Sequence, residues 1–213
     1  MRSIRKKSEK SKDKPASKSA ITEQELMEAA ISLLDSRRSV SSLSLREIAR
    51  AAGIAPNSFY RHFRDVDELA VALIDQAGRG LRGMIREARQ RLTEGRSGVR
   101  SSVEVFIEAL DDEQKYLHIL LREMSIGSES FRQAVDRELK YFETELQDDM
   151  TRIAEATGHQ LVEPHLVAKA ITRLVFSLGA TAVDLEPEQR KQLTDETVIM
   201  VKMIINGANI MKK

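Results

Sequence analysis

Three features of the 213-residue sequence predict an all-α protein. Apolar residues recur at helical spacing from Leu26 to Ala208. Ser, Thr or Asp followed by Glu three residues later, the signature of a helix start, occurs at Thr22–Glu25, Ser44–Glu47 and Asp65–Glu68. Four prolines and 4% aromatic residues leave little from which to build strands.

Taken in order, residues 1–20 are rich in Lys and Ser with almost nothing to bury, and read as a flexible basic arm able to follow phosphates or enter a minor groove. Thr22 and Glu25 open a first helix with Leu26, Ala29, Ala30, Leu33 and Leu34 on its buried stripe, ending near Arg37–Arg38. The Ser-rich stretch Ser39–Ser42 is a link. Ser44 and Glu47 cap a second helix, in which Leu45, Ile48, Ala49 and Ala52 fall at i, i+3, i+4 and i+7. Gly53 stops it, because glycine takes a left-handed backbone without steric cost, and Ile54 plugs the corner that follows. Pro56 suits the first turn of a third helix running to Phe63. Phe59 and Phe63 give that helix a buried edge, while Asn57, Ser58, Tyr60, Arg61 and His62 form a polar one. A short helix, a tight glycine turn and a second helix with a polar face have the spacing of a helix-turn-helix, whose second helix fits a major groove. An ordinary corner between two helices has the same spacing.

Asp65 and Glu68 open a long connecting helix from Val66 to Leu92, interrupted by Gly78, Gly80 and Gly83, where it can bend or admit a neighbour. Its Arg79, Arg82, Arg86, Arg89 and Arg91 read as a solvated face, with contact of some of them to an anionic ligand as the alternative. Further helices are expected over 99–110, from the Asp111–Asp112 cap to Met124, over 131–156, from Glu163–Pro164 to about Leu185, and from Pro187 to about Met211. The last two are apolar on nearly all sides, which implies cover on nearly all sides. A second subunit is the natural cover, with Val175, Phe176, Gly179, Val183, Val201, Ile204 and Ile205 as candidate dimerisation residues in a four-helix bundle; a single-chain core with one helix sandwiched is the alternative.

The formal net charge of +1 conceals a split. Residues 1–64 hold 14 Lys+Arg against 7 Asp+Glu, and the remainder 20 against 26. A basic head on an acidic body suits a polyanionic partner, although eight of the fourteen cations lie in the arm. Asn57 is the best base reader, since its amide can bond adenine with both groups, and Arg46 can reach guanine or phosphate. Ser44 and Arg61 are further candidates for phosphate contact, and Pro56 for an apolar contact to a thymine methyl.

The run from Gly53 through Tyr60-Arg61-His62-Phe63 to Asp67-Glu68-Leu69 resembles the signature of the TetR family of transcriptional repressors. That resemblance implies a three-helix helix-turn-helix head over 21–65, extending into the connecting helix to about residue 80. It implies a helical ligand-binding and dimerisation domain over 66–213, a homodimer, and double-stranded DNA carrying an inverted repeat as partner. It also implies that Ser58, Tyr60 and His62 hold phosphates; Pro56 departs from the polar residues usual at its position. Leu120-Leu121-Arg122-Glu123 and Ser130–Val135, together with the head stretch from Ser42–Ala49 through Asp67-Glu68-Leu69, look like the branch of that family that regulates unsaturated fatty-acid biosynthesis. The effector implied is a long-chain acyl-CoA or acyl carrier protein thioester. Its chain would lie among Phe106, Tyr116, Leu117, Leu120, Leu121, Met124, Phe131, Phe142 and Leu174, a set in which the expected buried charges are few: Arg122, Glu123 or Arg173. A repressor of an efflux or catabolic operon sensing another hydrophobic molecule is the alternative, and a helical adaptor without DNA binding is a third reading.

Catalysis and cofactors are not expected. His118 alone of the four histidines falls on a body helix, without a Ser/Asp partner at recognisable spacing, and His159, Glu163 and His165 match no metal signature. The chain has no cysteine, no Walker loop, and no run of eighteen apolar residues, so a cytoplasmic protein without disulfides or membrane span is expected.

Overall fold

The computed structural model describes residues 21–34, 38–90, 98–110, 116–126, 129–158 and 161–210, and the side chains of all but 89, 90, 116, 122 and 124–126 among them. The basic arm, the Asp111–Asp112 cap and His159 lie outside these residues. Among those described there are nine α-helices and no strand, so the all-α expectation holds. The helices are α1 (Glu23–Ser32), α2 (Leu45–Ala51), α3 (Pro56–Phe59), α4 (Val66–Gln90), α5 (Gly98–Glu108), α6 (Tyr116–Ile126), α7 (Glu129–Thr157), α8 (Pro164–Ala182) and α9 (Pro187–Ile210).

Local chemistry accounts for the helix starts. Thr22 and Glu25 form a reciprocal capping box on α1, and Ser44 and Glu47 form another on α2. Asp65 accepts from the Glu68 amide at 2.8 Å, while the Glu68 carboxylate takes the Arg64 amide at 2.6 Å. Two stops come earlier than expected. α1 ends at Ser32, and α3 is helical only to Phe59, continuing through Tyr60–His62 as a turn whose amides reach back to Ser58 and Phe59. The Ser-rich link also holds more structure than its composition suggests: Val40–Ser42 is a 3-10 turn with Val40 buried.

α4 runs from the head into the body, packing on α1 and the 3-10 turn at one end and on α5, α6 and α7 beyond. One apolar core extends from Leu26 in α1 to Val198 in α9, so head and body share a continuous interior. A smaller cluster of Val167, Ile171, Val201 and Ala208 joins α8 to α9, with Leu146 and Met150 of α7 against it.

The middle of α4 departs from the expected solvated arginine face. Arg82 is buried: its guanidinium pairs with the buried Glu138 of α7, lies 3.4 Å from Glu145, and sits over the rings of Tyr141 and Phe142 at 4.9 and 5.5 Å. Gly78 makes room for this pair, because a Cβ there would fall on the Glu138 carboxylate. Arg86, one turn on, stays exposed and bonds Glu145 at 2.8 Å. With Glu123 and Glu143 also buried, the body holds more interior charge than its composition suggests.

Candidate nucleic-acid interface

The turn between α2 and α3 is set by backbone chemistry. Gly53 has φ of +66°, and the Ile54 amide reaches the Ala49 carbonyl while the Gly53 amide reaches that of Arg50, the paired bonds of a Schellman motif. Nothing lies within 4 Å of a Cβ built at Gly53, so the glycine is required by its dihedral angle and not by crowding. Ile54 packs against the core, as its corner position predicts.

α3 is anchored from within by Phe59, which is fully buried and lies 5.8 Å from the buried Phe63 ring. Tyr60 meets Phe59 edge-on at 6.1 Å yet is 60% exposed. Pro56, Asn57 and Arg61 are exposed, with Ser58 and His62 half-buried beside them. On α2, Arg46 is exposed as well. Ser44, although exposed, has its hydroxyl committed: it accepts from the Glu47 amide at 3.3 Å and bonds the Glu47 carboxylate at 2.8 Å. Its first duty is the cap.

Glu47 is the electrostatic centre of the α2 start. The Arg38 guanidinium at 2.8 Å, then the Ser44 hydroxyl and the Ser44 amide at 3.0 Å, hold its carboxyl down at about 2 from an ordinary 4.5. A depressed carboxylate lends stability that is present above its unfolded-state value and is lost as pH falls through the folded one. The cap of α2 should therefore weaken as pH drops from about 4.5 toward about 2. Glu47→Gln is expected to flatten that part of the acid-unfolding curve, as followed by circular dichroism; an unchanged acid limb would remove Glu47 from this role.

With this geometry in view, residues 26–73 match the sequence profile described as "Bacterial regulatory proteins, tetR family". This segment is a TetR-family N-terminal domain. It spans the helix-turn-helix and the first turns of α4, and the rest of the chain is compared through its fold. The fadR fatty acid degradation regulator of Bacillus halodurans superposes with a TM-score of 0.67 at 15% identity, covering 86% of this chain and 94% of its own. Salmonella enterica GusR gives 0.67 at 16% identity, over 86% and 95%. AibR, solved in complex with isovaleryl coenzyme A and operator DNA, gives 0.60 at 17% identity, over 84% and 97%. At these identities the likeness is one of fold.

Behind the TetR-type head, the residues expected to line an effector pocket are packed as core. Phe106, Leu117, Leu120, Leu121, Phe131 and Phe142 are buried, and Leu174 is half-buried; the side chains of Tyr116 and Met124 are outside those described. Phe176 lies between Phe106 and Phe142, with ring centroids 5.1 Å from each. This changes the reading of α8. Phe176 and Gly179 were expected at a dimer face, but a Cβ at Gly179 would stand 2.6 Å from the Phe106 ring, so both are packed within the chain's own interior. Val201 is likewise buried against Val167 and Ile171, while Val175, Val183, Ile204 and Ile205 are half-buried. The exposed apolar residues of α8 and α9 are instead Leu166, Ile199, Met203 and Ile210, and sequence periodicity on helices apolar all round could not single them out.

A cavity of about 750 Å³ opens elsewhere, between α5 and the α8–α9 turn, bordered by Arg100, Glu104, Ile107, Glu108, Val183, Leu185, Arg190 and Asp195 among others. Of the expected effector residues whose side chains are described, none borders it. His118 bonds the Leu110 carbonyl at 2.6 Å and so ties α6 to the end of α5. Among the described residues no three His, Asp or Glu are grouped to hold a metal ion, and no helix is long and apolar enough to cross a membrane.

Proposed function

We propose that this protein is a dimeric, sequence-specific DNA-binding regulator, a repressor of unsaturated fatty-acid biosynthesis genes that responds to long-chain acyl thioesters. The observation that carries the DNA side is the exposed row Pro56, Asn57, Tyr60 and Arg61 beside Arg46, on a head whose Phe59 and Phe63 are buried. Asn57 reads a base, Arg46 a base or phosphate, Pro56 a thymine methyl, and Ser58, Tyr60, Arg61 and His62 hold the backbone, with Ser44 a marginal contributor because of its cap. Asn57→Ala is expected to relax discrimination by about 1–3 kcal/mol at one base pair, whereas Tyr60→Phe should weaken all duplexes alike. Equal losses on specific and random DNA for Asn57→Ala, measured by fluorescence anisotropy, would reject it as the reader.

The effector side rests on the resemblance of Leu120–Glu123 and Ser130–Val135 to the fatty-acid branch. A fold neighbour solved with both an acyl-CoA and operator DNA supports the chemistry as one this fold can hold. In this reading Phe106, Leu117, Leu120, Leu121, Phe131, Phe142 and Leu174, with Tyr116 and Met124, part to admit the chain. A ligand shifts an equilibrium only through its differential affinity, so straight saturated and bent cis-unsaturated chains should change operator affinity by different amounts or in opposite senses. The test is a footprint across the neighbouring genes, followed by operator titrations with palmitoyl-CoA and oleoyl-CoA below their micelle concentrations. Curves identical with and without both ligands reject the acyl effector and leave the DNA reading standing.

A second reading has its own support. The 750 Å³ cavity is bordered by five carboxylates, Glu104, Glu108, Asp184, Glu186 and Asp195, against three cations, Arg100, Arg190 and Lys191, of which Arg100 pairs with Glu104 and Asp195; with Ile107, Val183, Leu185 and Pro187 beside them, the remaining acidic excess suits a cationic hydrophobic effector. Release of operator DNA by such a compound, and not by either thioester, would favour an efflux-type regulator.

A further inference from the structure

We propose that Glu123 is a relay residue, coupling the state of the body helix α6 to the position of the DNA-reading head through the 3-10 turn Val40–Ser42. Glu123 is 0% exposed, and one carboxylate oxygen accepts from the Ser39 hydroxyl at 2.6 Å and from the Val40 amide at 2.8 Å, across 84 and 83 residues of chain. Its other oxygen is buried without a hydrogen-bond partner among the described residues. A buried carboxylate is an expensive way to fill space, and an apolar side chain would pack there at lower cost. Its value lies in what it holds.

The held segment is fastened on its other side as well. Arg38, one residue before Ser39, donates to the Glu47 carboxylate at 2.8 Å and toward the Ser42 carbonyl at 3.4 Å. Glu47 in turn closes the cap of α2 through the Ser44 amide at 3.0 Å. Residues 38–42 therefore form a strap, with α6 gripping one edge and the first turn of α2 gripping the other. Glu123 stands three residues after Leu120, on the neighbouring position of the same helix face, so a slide or rotation of α6 that moves Leu120 moves the carboxylate with it. α4 offers the body one route to the head; the strap is a second, and it ends at the helix carrying Arg46. The relay goes beyond the effector assigned above, since it needs a body and a head but no particular ligand.

A coupling claim requires a measurement that simple support would not move. The full-length protein, labelled with ¹⁵N, would be followed by amide hydrogen exchange at Val40 to Glu47, with Leu120→Val and Leu120→Ala as perturbations of α6, each in the native and in the Ser39→Ala background. In the native background either α6 substitution should speed exchange of these amides about fivefold or more, as expected when a local opening is linked to a distant packing defect. With Ser39→Ala already present the further increase should fall below about twofold, because part of the grip is gone. Glu123→Gln, which keeps shape and loses charge, should speed exchange at Val40 about tenfold by weakening a charge-assisted bond. Equal increments from Leu120 substitution in both backgrounds, or unchanged exchange at Val40 in Glu123→Gln, would overturn the relay. The milder Leu120→Val keeps the comparison available should the alanine variant fail to fold.

Discussion

Glu138→Ala is expected to destabilise the protein by about 3–5 kcal/mol, since removing one member of a buried ion pair leaves the other charge stranded. Arg82 would remain in the α4–α7 interface with only the half-exposed Glu145 at 3.4 Å and two aromatic faces to meet it. Replacing both partners by apolar residues, Arg82→Met with Glu138→Leu, should cost far less or even stabilise, because neither desolvation penalty then remains. Gly78 sharpens the test. In an isolated helix Gly78→Ala would stabilise by about 1 kcal/mol. Here the new Cβ meets the Glu138 carboxylate, which Arg82 prevents from swinging aside, so the substitution should destabilise in the native background. In the Glu138→Ala background the obstacle is gone and the same change should stabilise by about 0.5–1 kcal/mol. Urea unfolding of the native protein and these four variants decides the matter, and a stabilising Gly78→Ala in the native background would contradict the geometry.

This buried pair also marks where sequence reading reached its limit. Thr22–Glu25, Ser44–Glu47 and the Gly53 stop were legible because each depends on atoms within a few residues, and local hydrogen bonding decided them. Arg82 was not, because its environment is made by Glu138 and Tyr141 on α7, and spacing within α4 gives no sign of that niche. The Ser39–Ser42 stretch failed for the same reason. Its composition says loop, while Glu123 far along the chain draws Ser39 and Val40 inside. α3 stops sooner than Pro56 and Phe63 suggested: buried Phe59 and Phe63 are satisfied equally well by a helical turn followed by looser turns. The exposed row on the head was legible, since burying Phe59 fixes which side Asn57 and Arg61 present. On α8 and α9 an all-round apolar pattern carries no phase, so Phe176 and Gly179, which pack on Phe106 within the chain, could not be told from Met203 and Ile199, which face out.

Those outward residues set the expectation with the largest effect on DNA. Leu166 of α8 with Ile199, Met203 and Ile210 of α9 remain exposed, Met203 by 65% and Ile210 by 79%. Large exposed apolar side chains on two helices that contact each other suit a self-complementary two-fold contact, which would present two heads to one duplex. Two heads in fixed relation require an inverted repeat, with half-site centres about 34–36 Å apart or a multiple of that spacing. Once the first head is bound, the second meets its half-site at high effective concentration, so the full palindrome should bind roughly 10²–10⁴-fold tighter than a lone half-site. Met203→Glu combined with Ile199→Glu should separate the subunits in analytical ultracentrifugation. It should also bring palindrome affinity down to the half-site level and about halve the slope of log affinity against log salt, because half the phosphate contacts are lost. The Asn57 preference at its base pair should survive in the separated protein, since the head reads it alone. A half-site bound as tightly as the palindrome, or a double variant that stays dimeric, would place the pairing surface elsewhere than on this face of α8 and α9.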